Sequence, residues 1–284
     1  MFERISTGWK ITKQSFKVLK ADKEIVLFPI IGGLLTLAIT AIFIIPFILG
    51  TIGASLINES FANVTMYIIL FVYLIVVYFI NLFFEGAVIT SAMQRFSGKN
   101  PSFSDGLKGP SKRIPALFVW AIINAIAAIL LSLLSRAGKN HGKVADIGAQ
   151  VASTTAKIGW SLLTFFMLPI LIFEHKSTWE SMKKSKDLFI KTWGENITAQ
   201  ITTGGIFGIA IFIGIIPALL SLLLGIKSFI MVSIIIFFIW ICIVSIISAS
   251  VNGILRAALY QYAIKGKLPQ VYDQEISKVL TRKN

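Results

Sequence analysis

Four stretches of this chain, Ile25 to Leu49, Val64 to Phe84, Ile114 to Leu134 and Ser228 to Leu255, each run 21 residues or more without one Asp, Glu, Lys or Arg. A helix needs about 20 apolar residues to cross about 30 Å of hydrocarbon, so each block is long enough to span a bilayer. The blocks lack two-residue alternation, and in lipid every backbone amide must be satisfied within its own segment. Both facts point to helices rather than a barrel. The chain is 56% hydrophobic and 14% charged, against roughly a quarter charged in a soluble domain. The expected fold is an all-α polytopic transmembrane bundle of about six spans, forming a single transmembrane domain over 1–284. The spans fall at 25–49, 64–93, 114–135, 153–173, 197–224 and 228–264.

Lys and Arg outnumber Asp and Glu by 27 to 13, a net charge of +14. In a soluble chain that excess would suggest nucleic acid. Between membrane spans it sets topology and engages anionic headgroups, so membrane lipids are the expected partner and nucleic acid is not. The N-terminal segment carries Arg4, Lys10, Lys13, Lys17, Lys20 and Lys23. The connection after span two carries Arg95, Lys99, Lys108, Lys112 and Arg113. Lys176, Lys183, Lys184, Lys186 and Lys191 follow span four, and Arg256, Lys265, Lys267, Lys278, Arg282 and Lys283 close the chain. That places 22 of the 27 on one side. The positive-inside rule then puts both termini in the cytoplasm of a cell membrane. The polar, basic first 24 residues and the long apolar run after them read as a retained signal-anchor. Cys242 is the single cysteine and lies in an apolar block, so no intramolecular disulfide can form.

Two segments on the basic side read as amphipathic interfacial helices. In 2–20, Phe2, Ile5, Trp9, Phe16 and Leu19 form an apolar arc beside a stripe of Lys10, Lys13, Lys17 and Lys20. In 177–193, Trp179, Met182, Phe189 and Trp193 form the arc, and Ser177 with Glu180 has the spacing of a capping box. Such helices either lie at headgroup depth, with rings in the interface and lysines on phosphates, or pack on the ends of the bundle. Interface helix, span, span recurs at 1–98, 99–175 and 176–267, leaving 268–284 as a cytoplasmic tail. The first and third repeats end alike: Gln94-Arg95-Phe96 leads to Gly98 and Pro101, and Tyr260-Gln261-Tyr262 leads to Gly266 and Pro269. The pattern implies a helix leaving the membrane on an aromatic anchor, with Tyr260 and Tyr262 in that role, then breaking at glycine.

Polar groups inside spans are costly and so mark candidate sites. Glu85 lies late in span two and Arg256 late in the last span, with Asn252 one turn before it. The two charges either form a buried ion pair, reach the interface, or line a site. Asn81, Asn124, Gln200 and Asn252 are expected to bond between helices. Gly204 and Gly208 form a G-x-x-x-G on span five, and Ser245, Ala249, Gly253 and Ala257 recur every fourth residue on the last span. Both patterns are expected to pack helices closely. Catalytic patterns are absent: there is no H-E-x-x-H, cysteine cluster, G-x-S-x-G or Walker loop. His141 falls in an outer loop, and the adjacent Glu174 and His175 point to different helix faces, which disfavours chelation. Neither enzyme activity nor a cofactor or metal is expected.

Three stretches carry a resemblance. The first is Trp9, Val18-Leu19, Asp22-Lys23-Glu24 and Phe28-Pro29. The second is Thr164-Phe165-Phe166, Pro169, Glu174, Ser185 and Thr192-Trp193-Gly194-Glu195. The third is Ala258-Leu259-Tyr260, Tyr262-Ala263, Gly266, Pro269 and Asp273. With them the chain resembles a prokaryotic family of six-span membrane proteins known as a domain of unknown function, and the match is loose around 136–150. The resemblance implies the topology and a prokaryotic cell membrane, and brings no activity. Two readings of function stand open. One is a non-catalytic protein organising lipids or a protein partner through a basic cytoplasmic face. The other is a small-solute or lipid transporter with a cavity near Glu85 and Arg256.

Overall fold

The computed structural model describes residues 2–55, 58–137, 143–223 and 227–272; for 2–7, 51, 54–55, 59, 143–144, 193–201 and 227–228 only the backbone is described. Among the described residues every regular element is helical. The helices are α1 (Phe2–Ala21), α2 (Leu27–Ser55), α3 (Glu59–Phe96), α4 (Phe103–Ser111), α5 (Ile114–Arg136), α6 (Lys143–Leu163), α7 (Met167–Phe173), α8 (Thr178–Lys191), α9 (Trp193–Leu223) and α10 (Lys227–Lys265), with a 3-10 turn at Lys23–Val26. Among the described residues six segments are long and apolar enough to cross a bilayer: Lys23–Gly50, Ser60–Phe96, Ile114–Arg136, Ala145–Phe173, Thr202–Leu223 and Phe229–Lys265. Their outward faces carry large apolar side chains such as Leu37, Ile45, Phe212, Leu223 and Met231. Water tolerates no such continuous apolar surface, whereas lipid requires it. The protein is a multi-pass helical membrane protein.

The chain interleaves two compact units: Met1–Ile30 with Val88–Gly106 and Ile190–Asn284, and Ile31–Ala87 with Leu107–Phe189. In the first, α1 packs along α9 and α10, which pack on each other. The α9–α10 pair is joined by Ser221 and Ser233, whose hydroxyls lie 2.8 Å apart, and by Trp240 Nε1–H donating to the Ala210 carbonyl at 2.8 Å. Gly214 leaves the space that the Trp240 indole fills. Further along, Gly253 of α10 meets Val88 of α3. The expected glycine breaks are present. Helices α3 and α10 end at Gly98 (φ 78°) and Gly266 (φ 68°), both left-handed, and the Gly266 N–H closes on the Tyr262 carbonyl at 2.8 Å.

The small-residue pattern is used only in part. A Cβ built at Gly204 or Gly208 meets nothing within 4 Å, so this G-x-x-x-G makes no close approach among the described residues. Ser245 and Ala249 are exposed, and only Gly253 and Ala257 are buried. Apolar periodicity does not say which small face meets protein and which meets lipid.

In the second unit α5 and α6 pack together. The Trp120 and Trp160 rings stack 5.8 Å apart, and Ser153 donates to the Leu131 carbonyl at 3.0 Å. The fourth span departs from its expected form. It begins earlier than residue 153 and breaks at 164–166 into α6 and α7. The cause is Pro169, which supplies no N–H to the carbonyl four residues back and is well tolerated in the first turn of a new helix. The groups freed by the break are rejoined through α8. Ser185 accepts from the Phe166 N–H at 3.1 Å and donates to the Leu163 carbonyl at 2.7 Å. Met167 to Ile172 are all buried, so α7 is an internal plug in its unit.

Candidate functional site

Helix α1 is built so that one face is packed and the other is free. Ile11, Thr12, Ser15, Val18 and Leu19 are buried. Thr12 shares a 2.8 Å hydrogen bond with Thr203 of α9. Ser15 does the same with Tyr272, which lies beyond α10. This packed face is rotated from the aromatic arc read in the sequence, because two of its members are hydroxyl residues paired across helices. Phe16 is half-buried, its ring 5.9 Å from Phe207, while Trp9 at the edge is 52% exposed. Lys10, Lys13, Lys17 and Lys20 are all exposed. At 100° per residue they fall on the side opposite the packed face. No Asp or Glu occurs between residues 8 and 21. The result is an undiluted cationic stripe on a rigidly docked helix.

Helix α8 follows the same plan in the other unit. The expected capping box is formed: the Ser177 hydroxyl and backbone N–H donate to the Glu180 carboxylate at 2.8 and 3.1 Å. The Glu180 N–H returns to Ser177 Oγ at 3.3 Å. The Ser177 donors hold the Glu180 carboxyl below its usual value. Ser181, Ser185 and Phe189 are buried, while Trp179 is 62% exposed with Lys183 Nζ 5.6 Å from its ring centre. Helix α4 opens on the same device, which the sequence reading missed although Ser102-x-x-Asp105 shows it. Ser102 N–H and Oγ donate to Asp105 at 3.1 and 2.7 Å. Also missed was Arg113, whose guanidinium donates to the Leu171 and Lys176 carbonyls at 2.8 and 2.7 Å. It ties together the end of α7 and the turn that follows, where His175 is left-handed (φ 54°). Glu174 binds Lys184 at 2.6 Å and Lys176 at 3.6 Å. That arrangement is an ion-pair clamp.

The remaining anchors divide. Tyr260 and Tyr262 are 2% and 5% exposed, so both rings lie inside protein instead of reaching headgroups. Trp193 begins α9, and its side chain lies outside those described, as do Gln200 and the whole of His141. The stretch taken as a cytoplasmic tail starts as docked structure. Leu268 and Tyr272 are buried, Tyr272 meets the Phe96 ring edge-on at 5.8 Å, and 273–284 lie outside the described residues. Burial pushes the Tyr272 hydroxyl well above its usual value, so it stays protonated. Asp22 is 6% exposed, and its Oδ2 has no hydrogen-bond partner among the described residues. Burial raises its carboxyl above the usual value near 3.8, against the opposing pull of Arg95.

Glu85 on α3 and Arg256 on α10 are each half-buried; the first belongs to the second unit and the second to the first. The span amides are satisfied within their own helices. Asn81 donates to Val77 O and Asn124 to Trp120 O, each at 2.8 Å, and Asn252 to Ser248 Oγ at 3.1 Å. A carbonyl or hydroxyl one turn back is always in reach, so an amide in a span needs no second helix.

No curated protein matches the chain. The sequence profile of a family of unknown function, DUF6159, matches residues 64–269, and this protein, most of whose length that match covers, belongs to that family.

Proposed function

We propose that the protein is a non-catalytic organiser of anionic lipid headgroups, held in a cell membrane with both termini cytoplasmic. The observation that carries this reading is the α1 stripe of Lys10, Lys13, Lys17 and Lys20, exposed opposite the packed face and flanked by Trp9. Lysines and a tryptophan at the rim hold headgroups; they do not turn them over. Each lysine close to an anionic surface contributes about 1 kcal/mol, so the stripe supplies on the order of 4 kcal/mol at moderate salt. That attraction fades as added salt shortens the Debye length below about 10 Å. Docking of α1 on α9 and α10 fixes the stripe in place, so little ordering entropy opposes binding.

The test uses the full chain in nanodiscs of mixed phosphatidylglycerol and phosphatidylcholine. Mass spectrometry of the lipids retained on extraction should show enrichment in phosphatidylglycerol. That enrichment should weaken at high salt and fall in the Lys10→Gln/Lys13→Gln/Lys17→Gln/Lys20→Gln variant. Equal enrichment in the variant and the native protein refutes the proposal.

A further inference from the structure

The packed pair α5–α6 holds a cleft of about 380 Å³ lined by polar residues. Arg136 and Lys157 line it with Ser132, Ser135, Gln150 and Thr154, and no carboxylate is among its lining residues. Lys157 lies inside the candidate span Ala145–Phe173. Twelve residues from the start of that span, it is about 18 Å along the helix. A cation at that depth is costly unless it meets water or an anion. Asp146, Gln150, Thr154 and Lys157 of α6 recur on one helical face, with Asp146 one turn outside the lining of the cleft. The fourth is also the least hydrophobic of the six candidate spans.

The cleft has both fixed walls and spare donors. Ser153 is buried and ties α6 to the Leu131 carbonyl of α5. Ser135 is spent on the Ser132 carbonyl at 2.7 Å. Arg136, Lys157, Gln150, Thr154 and the Ser132 hydroxyl make no hydrogen bond or ion pair with any described residue. Two cations and three neutral donors around a small volume suit a phosphate group, whose several oxygens accept from all of them and whose charge Arg136 can meet bidentately. At about 30 Å³ per water, the cleft has room for roughly a dozen waters or one glycerophosphate-sized headgroup. Its flanks are apolar: Leu130, Leu133 and Leu134 on α5, and Ile147, Val151 and Ile158 on α6, are exposed. A ligand with a phosphate and acyl chains therefore fits cleft and flanks together.

We propose that the α5–α6 cleft is a phosphate-binding site that takes the headgroup of a phospholipid, separate from the α1 stripe. In the proposed topology the end of α5 and the start of α6 lie on the membrane side away from α4 and α8, so the site would serve the opposite leaflet. Binding to the full-length protein in mild detergent is measured by native mass spectrometry, on a background in which the four α1 lysines are Gln. Phosphatidylglycerol should bind as a single retained molecule and diacylglycerol should not. Arg136→Gln/Lys157→Gln should weaken phosphatidylglycerol binding tenfold or more. Displacement by millimolar inorganic phosphate would assign the site to a free phosphate, and no displacement to the lipid. Should the double variant fail to fold, Thr154→Val on the exposed wall replaces it, with weaker binding expected. Unchanged phosphatidylglycerol binding in these variants, or diacylglycerol bound equally well, overturns the proposal. Failure there leaves the α1 stripe untouched, because the stripe is absent from the background.

Discussion

Gly253 and Gly204 are the same residue in two long membrane helices, yet their surroundings ask opposite things of them. A side chain at 253 collides with the stiff, β-branched Val88, whereas one at 204 or 208 enters open space. Gly253→Ala should therefore destabilise by about 1–3 kcal/mol through overpacking. Gly204→Ala and Gly208→Ala should stabilise by up to about 1 kcal/mol by removing helix glycines. Thermal midpoints in one detergent decide this, and equal midpoints for all three would contradict the packing described. Asp22 makes a second prediction. Its folded carboxyl binds a proton more tightly than the unfolded one, because burial disfavours the charge. The stabilisation is thus complete below its ordinary value near 3.8 and is lost as pH climbs through the raised value. The native midpoint should fall over that acidic window and then level, while Asp22→Asn should show no such slope. Single residues were the least legible part of the sequence. The pattern shows that 204, 208, 249 and 253 are small, but not which of them faces another helix. Likewise Asp22 reads as an interfacial charge until its burial, within the pull of Arg95, is seen.

At the scale of elements, the long apolar helices were legible because hydrocarbon thickness dictates their length, and the glycine exits at 98 and 266 because only a left-handed residue ends a helix that way. The fourth was legible as a span but not in its start or its break, since its polar face lowers the hydropathy at its start and Pro169 interrupts its end. Ser185 ranked as one residue of a resemblance, and its role needs α8 and the α6–α7 break side by side. Ser185→Ala strips a buried donor–acceptor from the Phe166 N–H and the Leu163 carbonyl, and should cost about 1–3 kcal/mol. Ser185→Thr, which keeps the hydroxyl, should recover part of that in the same thermal assay. A loss below about 0.5 kcal/mol in the alanine variant would show that the break is held by other means.

For the whole molecule, the proposed topology has six crossings, with α1, α4 and α8 on a common side. That proposal rests on the charge count, since 22 of the 27 basic residues fall in connections of one parity. The α5–α6 cleft was not legible, because its cations are two of the five basic residues outside that set and their spacing, 21 residues apart, means nothing until the helices pair. The most direct measurement of this account is labelling of single cysteines in intact cells by a membrane-impermeant maleimide, with Cys242→Ser as background. Exposed positions suffice: Lys17, Lys108 and Lys186 for one side, Asn58 and Ala137 for the other. The account predicts labelling of Asn58→Cys and Ala137→Cys in intact cells, and of Lys17→Cys, Lys108→Cys and Lys186→Cys only after permeabilisation. Labelling of Lys17→Cys and Asn58→Cys on the same side of the membrane would contradict it.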